Sequence, residues 1–455
     1  MSSPLTLTAI LNSPIVPISG VPRKVYLLVE IGGGKDAKTM PMNLGLVIDA
    51  SESMHIRLVT ETQFKELIGR GKTMEVLKDG IPAWEIESIP SDLVSTFPRK
   101  IDYVSDALNS VSEYLRPGDS FSLTAFASRA KLVLPMTPGK DRHLLAQKAR
   151  GLEYIQLGDE TRMATGINLA YSEIREKQGP KMASRIILLT DGYTQDVKEC
   201  YEWAKRAQSK GLAITTMGLG VEFNEDLLIP IAEMTGGNAY YIEKPGEVSD
   251  AFRRELGAAL GIVYRSLKLH LNISSGVDLR RVHRVLPELG NIETDSFQME
   301  TATCFLGHYD PGSPPAVLLE FVIPPWGEGA FRIADMRLSW EGENGKTADT
   351  GFATEIGVKM ERSPVGSLNS RVMDVVNKVS AFKFGNFALE NAGDVDEVAA
   401  VNRLRLAGER LIEVGETDLA AQMEIMANRL QKRGKIDSNA TKKLRYETRM
   451  ISKRP

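Results

Sequence analysis

The sequence predicts an α/β protein: a doubly wound, mostly parallel sheet inserted in an antiparallel β-sandwich, with an α-helical segment following. Three observations predict it. Short continuous apolar runs near 44–48, 119–126, 185–189 and 212–219 are bounded by polar or turn residues, as buried parallel strands are. Helical patterns separate them, near 99–115, 165–178, 196–209, 224–235 and 247–260. Period-two runs at 5–10 and 24–31 precede this unit, and others at 266–273, 316–323 and 331–340 follow it. Such alternation with Pro/Gly turns between runs marks half-buried antiparallel strands.

Lone hairpins are not independently stable, so the strands on either side of the parallel unit are expected to meet in one sandwich. The competing layout is a separate N-terminal hairpin capping the parallel sheet. The expected division is 1–40 for the first sandwich strands and 41–265 for the doubly wound domain. The rest of the sandwich then takes 266–362, and a helical region 363–455. In order along the domain, Arg116-Pro117-Gly118 turns a helix into the 119–126 strand, and Gly236-Gly237 precedes a last strand at 238–242. An insertion, about 57–98, carries a hairpin over 73–87 around Lys78-Asp79-Gly80, with Met74 and Trp84 as exposed contacts. Either it shapes the open side of the neighbouring site, or it decorates the rim elsewhere.

From about Ser363 the texture turns helical, at 372–379, 395–414 and 420–431, with stops at Gly393-Asp394 and Gly434-Lys435. A helical hairpin or small bundle is expected, folded against the sandwich or offered to a partner. The final stretch holds Lys442, Lys443, Arg445, Arg449, Lys453 and Arg454, and reads as a solvated helix end.

The residues with chemistry lie at strand ends. Asp49-Ala50-Ser51-Glu52-Ser53 follows the 44–48 run, so one carboxylate and two hydroxyls emerge beyond a strand's carboxyl end. Open parallel sheets collect ligands there. Hard oxygen donors of this kind suit Mg²⁺ or Mn²⁺, with Ca²⁺ a further option. The plain alternative is a helix cap, in which Asp and Ser satisfy orphan backbone N–H groups. Gly158-Asp159-Glu160-Thr161 then precedes a helix, and the 185–189 run ends in Thr190-Asp191-Gly192.

Taken together, these three segments resemble the metal-ion-dependent adhesion site (MIDAS) of the von Willebrand factor A (vWA) family, whose signature is Asp-x-Ser-x-Ser. The resemblance spans roughly 41–265 and is closest to intracellular prokaryotic members. It implies that Ser51, Ser53 and Thr161 offer hydroxyls to Mg²⁺, while Asp49 and Asp191 bind it directly or hold its waters. An open position on the metal then takes an Asp or Glu of a partner protein, with no nucleic acid or membrane span involved. The family usually has Gly where Glu160 stands. Either Thr161 is the ligand, or Asp159 or Glu160 intrudes with its own carboxylate. The layout is also similar to integrin β subunits, in which movement of the helix corresponding to 247–260 transmits binding.

Alternatives from other classes are a metal-dependent hydrolase, an accessory subunit of an AAA+-type ATPase, and a metal-free vWA scaffold. Catalysis is not expected. The five His are scattered without ligand spacing, His55 belongs to the first helical turn after the motif, and neither a Walker loop nor a Gly-x-Ser-x-Gly elbow is present. A net charge of −3 gives no general pull toward nucleic acid. Cys200 and Cys304 do not make a disulfide framework. The N-terminus shows no secretory pattern, and no run of about 18 apolar residues occurs. A cytoplasmic location is the expectation.

Overall fold

The computed structural model describes residues 4–453 except 79–80, 178, 180, 295–299, 343–344, 352–353, 363–365, 391–396 and 434–437. The expected stops at Gly393-Asp394 and Gly434-Lys435, and the turn at Asp79-Gly80, lie outside the described residues.

A six-stranded sheet forms the centre, in the order Ala239–Ile242, Leu212–Leu219, Ala183–Thr190, Met42–Asp49, Ser120–Phe126, Ala130–Pro138. The first five strands run parallel, and the last is an antiparallel edge. That edge strand was not anticipated, because Lys131 and Pro135 interrupt its apolar run. The inner strands are covered on both faces. Leu46, Ile48, Ile187 and Leu189 pack under the helices Lys100–Tyr114 and Val248–Leu260. Their neighbours Val47, Ile186 and Leu188 pack on the other side, under Met163–Lys177, Val197–Ser209 and Glu225–Thr235. Successive strand residues point to opposite faces, so two helical layers demand the continuous apolar runs seen in the sequence.

The strands flanking this unit pair with one another. Leu5–Leu11 and Arg23–Gly33 share a sheet with Ala316–Ile323, Asp278–Leu286 and Gly290–Asn291. The facing sheet holds Thr301–Tyr309, Tyr264–Ile273, Gly329–Glu341, Thr354–Glu361 and Ile15–Pro17. The two crossings between sandwich and parallel sheet lie side by side: Met40 N donates to Ile262 O at 2.8 Å, and Val263 N to Tyr309 O at 2.9 Å. Arg116 clasps both, reaching Met40 O at 2.9 Å and Leu260 O at 3.4 Å.

Four helices follow among the described residues: Ser370–Glu390, Glu397–Glu413, Thr417–Arg433 and Ser438–Met450. Their apolar faces enclose a core that also takes Leu28, Leu289 and Leu318 from the sandwich. One sandwich sheet is therefore covered on both sides, which is why Ala316–Ile323 is apolar nearly throughout. In the insertion, Glu61–Gly69 forms an unanticipated helix, capped by Thr60 and Gln63. The hairpin appears as Thr73–Lys78 against Ile81–Ile86, with Met74 and Trp84 exposed.

The reading of the basic end as solvated is overturned. Lys442, Arg445 and Arg449 are buried. The Lys442 ammonium donates to Val221 O and Phe223 O, each at 2.6 Å, and pairs with Glu225 at 3.3 Å. Arg445 pairs with Asp226 at 2.7 Å, and Arg449 with Glu233 at 2.5 Å and Glu288 at 2.8 Å. The last helix thus straps the helical region to both the parallel-sheet unit and the sandwich. A charge run tells a reader its sign; the acids that bury it lie more than 150 residues away.

Candidate functional site

Met42–Asp49 is wholly buried between its two parallel neighbours, which fixes Asp49 at the middle of the sheet's carboxyl edge. Ala50 N donates to Phe126 O at 2.7 Å, so the chain clears the sheet one residue later. It then folds back: Ser51 N donates to Asp49 Oδ1 at 2.9 Å, as in an Asx turn. Ser51 stands at the N-cap of the short helix Glu52–His55, yet its side chain makes no capping hydrogen bond. Its Oγ lies 3.1 Å from Ser53 Oγ, which donates to Asp191 Oδ1 at 2.6 Å. The capping alternative therefore accounts for Ser51's backbone position but not for its hydroxyl.

Asp191 directly follows the strand Ala183–Thr190. Thr190 turns its hydroxyl onto Asp49 Oδ2 at 2.6 Å, linking the two strand ends. Thr161 is buried, and a Cβ placed on Gly192 would stand 3.4 Å from its Oγ1, so its hydroxyl faces the Asp191 turn. Its carbonyl accepts from Gln195 N at 3.0 Å and lies 3.0 Å from Thr194 Oγ1, pinning the two loops together. Asp196 accepts from Ala164 N at 3.1 Å, in the first turn of the helix Met163–Lys177 that follows Thr161. Asp159 and Glu160 are exposed, and Glu160 pairs with Arg162 at 3.3 Å. Of the three candidates in that loop, Thr161 alone turns inward.

All five singled-out side chains, Asp49, Ser51, Ser53, Thr161 and Asp191, thus come from three loops to one spot, with Ser53 half-buried and the other four buried. Two participants were not foreseen. Thr190 was visible beside Asp191, and its role needed the fold. Lys100 is the other: its ammonium donates to Asp191 Oδ2 at 2.6 Å, with the lysine side chain 19% exposed and the aspartate 0%. Nothing local in the sequence points to it. Burial, and then the charge of Asp191, push Asp49 up to about 6, against the hydrogen bonds from Ser51 and Thr190. His55 ends the short helix and is held below its ordinary range by burial and by Arg99.

The donors are all oxygen. Among the described residues no three His, Cys, Asp or Glu side chains converge, so any metal here would rely on hydroxyls. A cavity of about 510 Å³ lies elsewhere, at the junction of the Ala239–Ile242 strand, the sandwich and the last helix. Among the described residues no helix is long and apolar enough to cross a membrane.

Comparison with known proteins bears on the fold around these residues. Residues 94–254 match the family model "von Willebrand factor type A domain", and residues 370–454 match "Sll0103-like, C-terminal alpha-helical domain". The first match begins after the Asp49–Ser53 motif and does not cover it. The chain is similar to protein sll0103 of Synechocystis sp. (strain ATCC 27184 / PCC 6803 / Kazusa), at 23% identity over 95% of this chain and 92% of the relative. It is also similar to a calcium-activated chloride channel regulator 1 of Bos taurus, at 27% identity over 31% of this chain and 16% of the regulator. A solved von Willebrand factor type A protein from Catenulispora acidiphila superposes with a TM-score of 0.74 at 16% identity, covering 98% of this chain and 96% of that one. The ArnB paralog VWA2 from Sulfolobus acidocaldarius follows at 0.54 and 14%, over 99% of each chain.

Proposed function

Because the chain carries a von Willebrand factor type A domain, a protein-interaction module, we propose that it binds a partner protein through a divalent cation. Asp49, Ser51, Ser53, Thr161 and Asp191 would hold that cation. The observation that carries this reading is the side chain of Ser51. It stands at a helix N-cap without capping, and turns instead toward Ser53, which is bonded to Asp191. A cap alone gives no reason for three loops to bring two carboxylates and three hydroxyls to one spot.

The donor set fits a hard ion such as Mg²⁺ or Mn²⁺: oxygen only, two carboxylates, three neutral hydroxyls. When bound, the ion supplies a Lewis-acidic vertex for a carboxylate oxygen, which here would come from an Asp or Glu of the partner. The chain's own residues orient that vertex. Thr190 and the backbone N–H of Ser51 occupy both oxygens of Asp49 and fix its plane, and Ser53 does the same for one oxygen of Asp191. Burial of both carboxylates keeps bulk water from screening their charge. We further propose domain limits at 1–40, 41–265, 266–362 and 363–455, with the helical region held in place by its last helix.

Calorimetric titration with Mg²⁺ and Mn²⁺, on wild type and Asp49→Ala, tests the reading, followed by capture from lysate with and without EDTA. The expected result is saturable binding lost in the variant, with a captured protein released by EDTA. A folded wild-type protein that takes up neither ion would leave a metal-free scaffold, in which Lys100 is the permanent partner of Asp191.

A further inference from the structure

Two carboxylates, Asp49 and Asp191, are buried together, and among the described residues Lys100 forms the only ion pair with either. Its placement is costly by itself. Lys100 opens the helix Lys100–Tyr114, where the positive end of the helix dipole disfavours a cation. Its flexible side chain is also drawn down to 19% exposure, against its rotamer entropy. The pull of Asp191 offsets both costs.

The stem of Lys100 is anchored independently of that pull. The carboxylate of Asp102 accepts from Arg99 N at 2.7 Å, and the Arg99 guanidinium pairs with Asp102 at 2.8 Å and also with Glu153. Arg57 reaches across to the carbonyls of Val94 and Phe97 at 2.8 and 2.7 Å, tying down the segment that leads into the helix. The ammonium can therefore leave Asp191 by rotamer changes alone, with the backbone staying where it is.

We propose that Lys100 is an internal counter-ion of the metal centre. Its ammonium neutralises Asp191 when no metal is held, and must withdraw for a divalent ion to bind, which keeps affinity for that ion low. The proposal rests on the metal-bridge reading above. Its basis is elementary electrostatics: a unit positive charge within a few ångströms opposes a second cation in the same buried pocket. Removing it also leaves the two carboxylates facing one another, an arrangement that a divalent ion relieves and an empty site does not.

The test compares wild type with K100M, whose side chain is one atom shorter and carries no charge. K100R retains the charge, and K100Q serves as a second neutral variant. Each is titrated with Mn²⁺ by calorimetry and melted in EDTA and in saturating Mn²⁺. K100M and K100Q should bind Mn²⁺ at least about tenfold more tightly than wild type, and K100R should not. In EDTA the neutral variants should melt below wild type, and saturating Mn²⁺ should close or reverse that gap. Equal or weaker binding by the neutral variants, with binding still abolished by D49A, would overturn the counter-ion role and leave the metal bridge standing. No binding by folded wild type and folded neutral variants alike would overturn both.

Discussion

Two of the places where the molecule buries charge differ in how the charge is balanced. Along the last helix, Lys442, Arg445 and Arg449, together with Arg284, face Glu225, Asp226, Glu233 and Glu288, so cations and carboxylates match one for one. At the strand ends, Asp49 and Asp191 share one ammonium, that of Lys100. A balanced cluster has no use for an outside ion; it joins parts of the chain. A cluster with surplus negative charge is strained as it stands, and is relieved by a cation from outside. Burial is common to both clusters, and imbalance is what singles out the strand ends as the site proposed above.

The comparison can be broken most forcefully at the strap. Arg449 is 1% exposed and holds two carboxylates, so Arg449→Met should destabilise the protein by about 3–5 kcal/mol in denaturant unfolding, since Glu233 loses the cation it pairs with and buried Glu288 is left with Arg284 alone. A loss below about 1 kcal/mol would mean the strap is solvated in solution after all. Adding Glu233→Gln to that variant should recover part of the loss.

The pH response should differ in sign between the two clusters. Folding raises the pKa of Asp49 to about 6, so the folded state keeps a proton that the unfolded chain releases near the ordinary carboxylate value. Stability from this group is present at low pH and is lost as pH rises toward and through 6, by at most about 3 kcal/mol. In EDTA at pH 7, Asp49→Asn should therefore be more stable than wild type by about 1–3 kcal/mol, and the gap should vanish below about pH 4. Asn can keep both neighbours, with Thr190 accepting rather than donating. Glu288 behaves oppositely. Burial pushes it up, but Arg449 and Arg284 outweigh that and hold it below its usual range. Its contribution is present at neutral pH and is lost as pH falls through its lowered value. Stability curves of wild type, Asp49→Asn and Glu288→Gln against pH would show whether the signs differ.

A smaller effect is expected where the strap meets the loops of the site. Lys442 lies over the rings of Tyr193 and Phe223, at 5.3 and 4.6 Å, and Tyr193 is two residues from Asp191. Lys442→Met should cost about 1–3 kcal/mol by leaving two carbonyls unpaired, and hydrogen exchange should quicken in residues 221–223 first. The smallest change is reserved for the insertion. Trp84 is half exposed on its hairpin, so Trp84→Ala should move stability by no more than about 0.5 kcal/mol. Any sizeable loss of partner capture by that variant would then locate a contact surface.

Much of the fold was legible in the residues. The patterns at 99–115 and 247–260 became Lys100–Tyr114 and Val248–Leu260, because long amphipathic periods carry their own boundaries. The edge strand Ala130–Pro138 and the helix Glu61–Gly69 escaped, one for its broken apolar run and the other for its weak apolar content. The three site loops were visible as motifs, while the inward turn of Thr161 and the outward turn of Glu160 were not, since adjacent loop residues share no fixed period.

The sequence by itself determined the parallel strands, the helices that cover them, and the order in which Asp49, Thr161 and Asp191 arrive at their ends. These follow from local periodicity and strand polarity, which need no distant partner. Only the tertiary structure decided the fate of the charges. It set Lys100 against Asp191, 91 positions away, and Arg449 against Glu233, 216 positions away. A lysine or arginine has the same sign in water as in a buried pair. What distinguishes the two is the carboxylate the fold brings to it.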